Sequence, residues 1–150
     1  MSQSKLLERI RQDITAAQKG QDRQKLGALR LLVSEINYRQ IDAKDELSDD
    51  RVIEVLRREA KKREEASEIY AKADDEPRLA QEKYELELIR SYLPAMMNEA
   101  DIFAVVKKAK EETGKSGGVL IGEVMGRLKG KADGAVVARL VGQIEGNAGN

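Results

Sequence analysis

The chain has 150 residues, 41% of them apolar, which is enough for one ordinary domain or two small lobes with buried cores. Its 27 basic and 27 acidic side chains cancel, which argues against the uniformly basic surface of a bulk nucleic-acid binder or a polybasic membrane anchor, so any anion recognition must be local. With no His and no Cys, thiolate nucleophiles, Ser-His-Asp triads and zinc sites built from those ligands are excluded.

From residue 4 to residue 93 the apolar period is helical throughout. Leu6, Leu7, Ile10, Ile14 and Ala17 form one stripe, and after the breaker KGQDR the residues Leu26, Leu29, Val33 and Ile36 form a second. Charges interrupt SKLLERIRQDI every two or three residues, so this opening is neither a signal peptide nor a membrane span, and the cytoplasm is the expected compartment. A third helix starts at LSDD, capped by Ser48 or Asp49, with Val52, Val55, Leu56, Ala60, Ile69 and Tyr70 on one side. Its RREAKKREE segment, with Glu54–Arg58, Glu59–Arg63 and Lys61–Glu65 at i,i+4 spacing, reads as a solvated face. Pro77 suits the first position of a fourth helix, which ends near Pro94 because the residue before a proline is pushed out of helical geometry.

Composition changes there, and ten of the twelve glycines fall in the last 37 residues. Three shorter helices are expected: one capped by Asn98 with Ile102, Phe103, Val106 and Ala109 inward, one from about Val119 to Leu128, and one from the cap Asp133 to Ile144. No segment alternates with period two. The expectation is an all-α chain with a larger N-terminal helical lobe, 1–94, a small three-helix lobe, 95–146, and a disordered tail, 147–150. The four tyrosines, Tyr38, Tyr70, Tyr84 and Tyr92, read as half-buried core residues with hydroxyls at the rim.

Two apparent motifs carry no chemistry. TGKSGG contains the Gly-Lys-Ser of a phosphate-binding P-loop, but that loop needs another glycine five positions before Gly114, and position 109 is Ala. Adjacent acids such as Asp49-Asp50, Glu64-Glu65 and Asp74-Asp75 are expected by chance in a chain that is 36% charged. No catalytic residues, metal ligands or cofactor site emerge from the sequence.

VMGRLKGKADG, residues 124–134, is different. Gly122, Gly126, Gly130 and Gly134 recur every four residues, and a glycine inside a helix costs about 1 kcal/mol relative to alanine. Either a neighbouring helix packs closely on Gly122 and Gly126 or a ligand does. Arg127, Lys129 and Lys131 surround the turn before Asp133, where backbone amides and a helix N-terminus form a modest anion site that Lys115 and Arg139 could join.

KLGALRLLVSEINYRQID, LSDDRVIEVL, KKREEA, YELELIRSYLP and IGEVMGRLKGKADG, in that order and spacing, resemble the GatB/YqeY family over about residues 4–144, in the arrangement of its stand-alone YqeY proteins. The resemblance implies an all-helical protein related to the C-terminal tail of the B subunit of the tRNA-dependent amidotransferase, a segment that contacts the outer elbow of tRNA. It implies no chemistry for this chain, because the kinase and glutaminase sites of that enzyme lie in other, larger domains. Relative to the family pattern the connection LKGKADG is shortened and has Lys131 where arginine is usual, which places the basic side chains differently.

The expected function is thus a non-catalytic binding module for tRNA or another structured RNA, using Lys115, Gly122, Gly126, Arg127, Lys129, Gly130, Lys131, Gly134 and Arg139. The alternative is a helical adaptor with a protein partner and no RNA ligand. Neither reading involves a membrane.

Overall fold

The computed structural model describes residues 4–148, with side chains described through Gly146, and every regular element among them is an α-helix. These residues divide between Leu93 and Pro94 into two compact units, each with its own apolar core. No helix of the described residues is long and apolar enough to cross a membrane.

The first unit contains α1 (Lys5–Lys19), α2 (Arg23–Ala43), α3 (Asp49–Lys72) and α4 (Glu76–Tyr92). Each begins at a short polar side chain that accepts from an amide of its own first turn: Ser4 from Leu7, Asp22 from Lys25, Ser48 from Arg51 and Asp75 from Arg78. Ser4 also donates to Asp49 Oδ1, which accepts from the Leu6 amide at 3.1 Å, so the start of α1 is tied to the start of α3. Pro77 is the second residue of α4 instead of the first, because Asp75 supplies the cap and Glu76 opens the helix.

α1 packs on α2, and α3 packs most extensively on α4. Ile10, Leu29, Ile36, Val52, Leu56, Ile89 and Tyr92 fill the space between them. Tyr92 is 5% exposed, closer to full burial than the sequence suggests. Its hydroxyl donates to Asp13 of α1, and the Arg9 guanidinium lies 5.0 Å from its ring centroid, a cation–π contact. Burial, and then the bond to Asp13, push the Tyr92 phenol well above its ordinary pKa. The Tyr-Leu-Pro end of α4 is therefore an anchor for α1.

Three side chains expected inside lie outside: Tyr38, Ile69 and Phe103 are all exposed. Ile69 stands about 100° around α3 from the buried row, as does Phe103 from Ile102 on its own helix. The RREAKKREE segment is also not wholly a solvated face. Glu59 is 7% exposed, and Arg63 reaches from α3 to Glu85 (2.8 Å) and Glu82 (3.6 Å) on α4 while pairing Glu59 at 3.6 Å. Lys62 holds Glu59 from the solvent side at 2.9 Å. Desolvation raises the Glu82 pKa against the pull of Arg63, and neighbouring Glu85 adds to the rise.

The second unit contains α5 (Glu99–Thr113), α6 (Gly117–Leu128) and α7 (Gly134–Ala148), each packed on the other two. Asn98 caps α5 by accepting from Asp101 at 2.8 Å, as expected, and Asp133 accepts from Ala135 at 2.9 Å before α7. Leu120, Val124, Val106, Val137 and Val141 form the fully buried centre. α6 starts at Gly117, two residues before the expected Val119, because the loop after α5 is only Gly114, Lys115 and Ser116. α7 continues past Ile144 to Ala148, into the segment expected to be disordered, while Gly149 and Asn150 lie outside the described residues.

Candidate nucleic-acid interface

α6 presents three different faces, and its sequence dictates them. Leu120, Val124 and Leu128 recur at four-residue spacing and are buried against α5 and α7. Glu123 and Arg127 lie along one edge of that buried stripe. Gly118, Gly122 and Gly126 line the side turned away from the core, and outside the helix's own backbone no atom of the described residues lies within 4 Å of where a Cβ would stand at any of them. The close helix packing considered for Gly122 and Gly126 is therefore absent from the unit, and these glycines leave bare, exposed backbone. Gly118, overlooked in the sequence reading, extends the row by one turn, and its place four residues before Gly122 was the available signal.

Lys129 continues this row seven residues after Gly122. It closes α6 in left-handed geometry (φ 46°, ψ 54°), and Gly130 follows at φ 80°. Two consecutive left-handed residues reverse the chain, and glycine takes the second position without the cost a side chain would bring. Gln21, Lys44 and Asp74 are also left-handed, so the conformation of Lys129 is a common way of ending a segment in this chain and not a mark of function.

The turn is held by three backbone bonds. Lys129 donates to Met125 O (3.1 Å), Lys131 donates to Leu128 O (3.0 Å), and the Met97 amide donates to Lys131 O (2.8 Å) from the segment before α5. Ala132 is buried immediately after it. The backbone at 129–131 is thus fixed while its two lysine side chains are exposed.

The five candidate cations divide into two groups. Lys115 contacts Glu123 at 3.1 Å, and Arg127 contacts both Glu123 (3.2 Å) and Glu112 (3.0 Å). The hydrogen bond from Lys115, followed by that from Arg127, lowers the Glu123 carboxyl below its ordinary pKa. Arg139 pairs with Glu99 on α5. Lys129 and Lys131 form no ion pair among the described residues.

Gly134 opens α7, where a Cβ would meet Met125 Cε at an ordinary 3.9 Å. The positive end of α7 was expected to assist anion binding, but the Asp133 carboxylate already occupies it through the Ala135 amide. The end of α6 is treated similarly: Gly117 donates to Glu145 Oε1 at 2.7 Å, and Lys110 lies 3.6 Å from that carboxylate. What remains of the predicted site is the pair Lys129 and Lys131 on a rigid turn, continuous with the open row Gly118, Gly122 and Gly126.

Because an added Cβ would meet no neighbouring atom of the described residues there, Gly122→Ala and Gly126→Ala should each stabilise α6 by about 1 kcal/mol through helix propensity. Thermal unfolding followed by circular dichroism reads this as a rise in Tm for each variant. A fall would show that the glycines serve the fold after all.

A family model described as Yqey-like protein matches residues 7–144. No curated protein matches the chain.

Proposed function

The chain belongs to the YqeY-like family, and from that premise we propose that it is a non-catalytic, cytoplasmic tRNA-binding accessory module. In this reading the small three-helix lobe, residues 95–146, makes the RNA contact and the larger lobe, 1–94, serves as its helical scaffold. The observation that carries the proposal is the contrast among the cations: Lys115, Arg127 and Arg139 are spent on acids, whereas Lys129 and Lys131 are exposed without an acid partner among the described residues. The resemblance of IGEVMGRLKGKADG to the tRNA-contacting tail of the amidotransferase B subunit points to the same segment.

The physical fit is with an RNA surface recognised by shape. A-form RNA offers phosphates and 2′-hydroxyls across a wide, shallow minor groove, and the outer elbow of tRNA presents such surfaces in a fixed arrangement. Bare helix backbone at Gly118, Gly122 and Gly126 admits close approach of a sugar-phosphate chain, and the two lysines neutralise phosphates beside it. Only about two phosphates are engaged, so binding is weak and salt-sensitive, with log K falling against log salt at a slope of about −1.5 to −2.

Fluorescence anisotropy of labelled bulk tRNA against the intact chain, repeated across a salt series, tests this. The expected result is saturable binding with that slope, weakened by Gly122→Ala and Gly126→Ala even as those changes stabilise the fold. Absence of binding at the lowest salt would overturn the reading and favour a protein partner on the glycine row.

A further inference from the structure

α2 is apolar on two opposite sides. Ala28, Leu29, Leu32 and Ile36 are buried in the first unit, yet Leu31, Tyr38 and Ile41 are 54%, 63% and 77% exposed. With Gly27 and Ser34, both also exposed, they form the row 27-31-34-38-41, at spacings of four, three, four and three. This is the a/d repeat of a two-stranded coiled coil, and at 100° per residue it lies across the helix from the buried stripe.

The charges beside the row are sorted by sign. Arg30 and Asn37 follow one flank, at the g positions, and Glu35 and Asp42 follow the other, at e, while Lys44 lies past the helix end in left-handed geometry. Within the helix, Arg39 pairs with Glu35 at 3.4 Å, and Arg30 and Asp42 form no ion pair among the described residues. In a parallel pairing each g residue faces the e residue five positions on in the other helix. Arg30 then meets Glu35 of a second copy, and Asn37 meets its Asp42. In an antiparallel pairing like flanks face each other, setting Glu35 against Asp42.

We propose that the outward face of α2 is a self-association seam that joins two copies of this chain with their α2 helices parallel and in register. The occupant is a second copy because its flanks complement this register and oppose the reversed one. The seam spans about 21 Å, or 14 residues at about 1.5 Å each, and holds three large apolar side chains per copy, so it falls short of a standard interface and forms a reversible dimer. The inference rests on the first unit alone and is independent of RNA binding.

Sedimentation equilibrium from about 1 µM to about 1 mM tests it, a range spanning the affinities expected of so small an interface. The weight-average mass should climb from 16.7 kDa toward twice that value. Tyr38→Lys with Ile41→Lys, at two exposed positions, should remain monomeric throughout with unchanged helicity. Since the chain has no cysteine, Gly27→Cys under mild oxidation reports orientation: parallel helices bring the two copies of position 27 together and a disulfide dimer forms, whereas antiparallel helices hold them apart. A mass that stays monomeric, a dimer that survives the double lysine variant, or failure of Gly27→Cys to cross-link would each overturn the proposal.

Discussion

If the chain binds tRNA as proposed, reversing both lysines of the turn, Lys129→Glu with Lys131→Glu, is expected to lower tRNA affinity about a hundredfold at about 50 mM salt and to flatten the salt slope by about two. The same change leaves Tm nearly constant. Both side chains are exposed and neither forms an ion pair among the described residues, so the fold loses no contact with them. Glutamate at 129 inherits the same left-handed backbone as lysine, and the bonds from Lys129, Lys131 and Met97 that hold the turn are all main-chain. Arg127→Glu should behave differently, because it removes the cation that Glu112 and Glu123 share, leaving Glu123 with Lys115 and Glu112 with Lys108 at 3.9 Å, and sets a third carboxylate beside them. Its cost appears first in thermal stability, so anisotropy and melting curves on the two variants separate a binding cation from a structural one.

Arg63→Met destabilises the first unit by about 3 kcal/mol at neutral pH, toward the lower end of the cost of removing one member of a buried ion pair because the cluster is partly open to water. Methionine keeps much of the aliphatic stem, so the loss is chiefly electrostatic. Glu59, Glu82 and Glu85 then face one another with Lys62, on Glu59 alone, as the remaining counter-charge of the cluster. The defect depends on pH with a definite sign. Glu82 already has a raised pKa from burial, and removing the guanidinium raises it further. A carboxyl whose folded pKa exceeds its unfolded value binds more protons when folded, so stability falls as pH rises through that interval and is regained on acidification toward the unfolded value of about 4.3. Urea denaturation of the variant at pH 7 and near pH 5 should show the gap to the parent chain narrowing. An equal gap at both values would mean that packing, not charge, was lost.

The helices were largely legible because their signals are local. Ser48, Asn98 and Asp133 cap helices as their positions suggest, and the apolar rows of α1 and α2 bury the side chains expected of them. What escaped was the assignment of charged and aromatic residues to faces. Glu59 and Arg63 were read as an exposed pair from their i,i+4 spacing, yet they share the 52-56-59-63-70 row with Val52, Leu56 and Tyr70, which already pointed them inward. Arg63's other partners, Glu82 and Glu85, are about twenty residues away on α4, where no local pattern reveals them.

The candidate site shows the same boundary. Glu123 and Arg127 are four apart and could have been paired by inspection, whereas Glu99 with Arg139 and Met97 with Lys131 depend on the folding of α5 against α7 and the turn. Spacing placed Gly122 and Gly126 on one face of a helix, but a repeated glycine has the same pattern whether a helix covers it or nothing does. Only the position of the core, on the side of Leu120 and Val124, leaves that face open.

The central claim, that RNA seats on the 129–131 turn and the glycine row beside it, is tested most directly by titrating ¹⁵N-labelled protein with tRNA and following the amide resonances. Selective shifts or broadening at Gly118, Gly122, Gly126 and residues 129–132, with the amides of α1 to α4 little affected, is the predicted result. Changes confined to the first unit, or none at low salt, would contradict it.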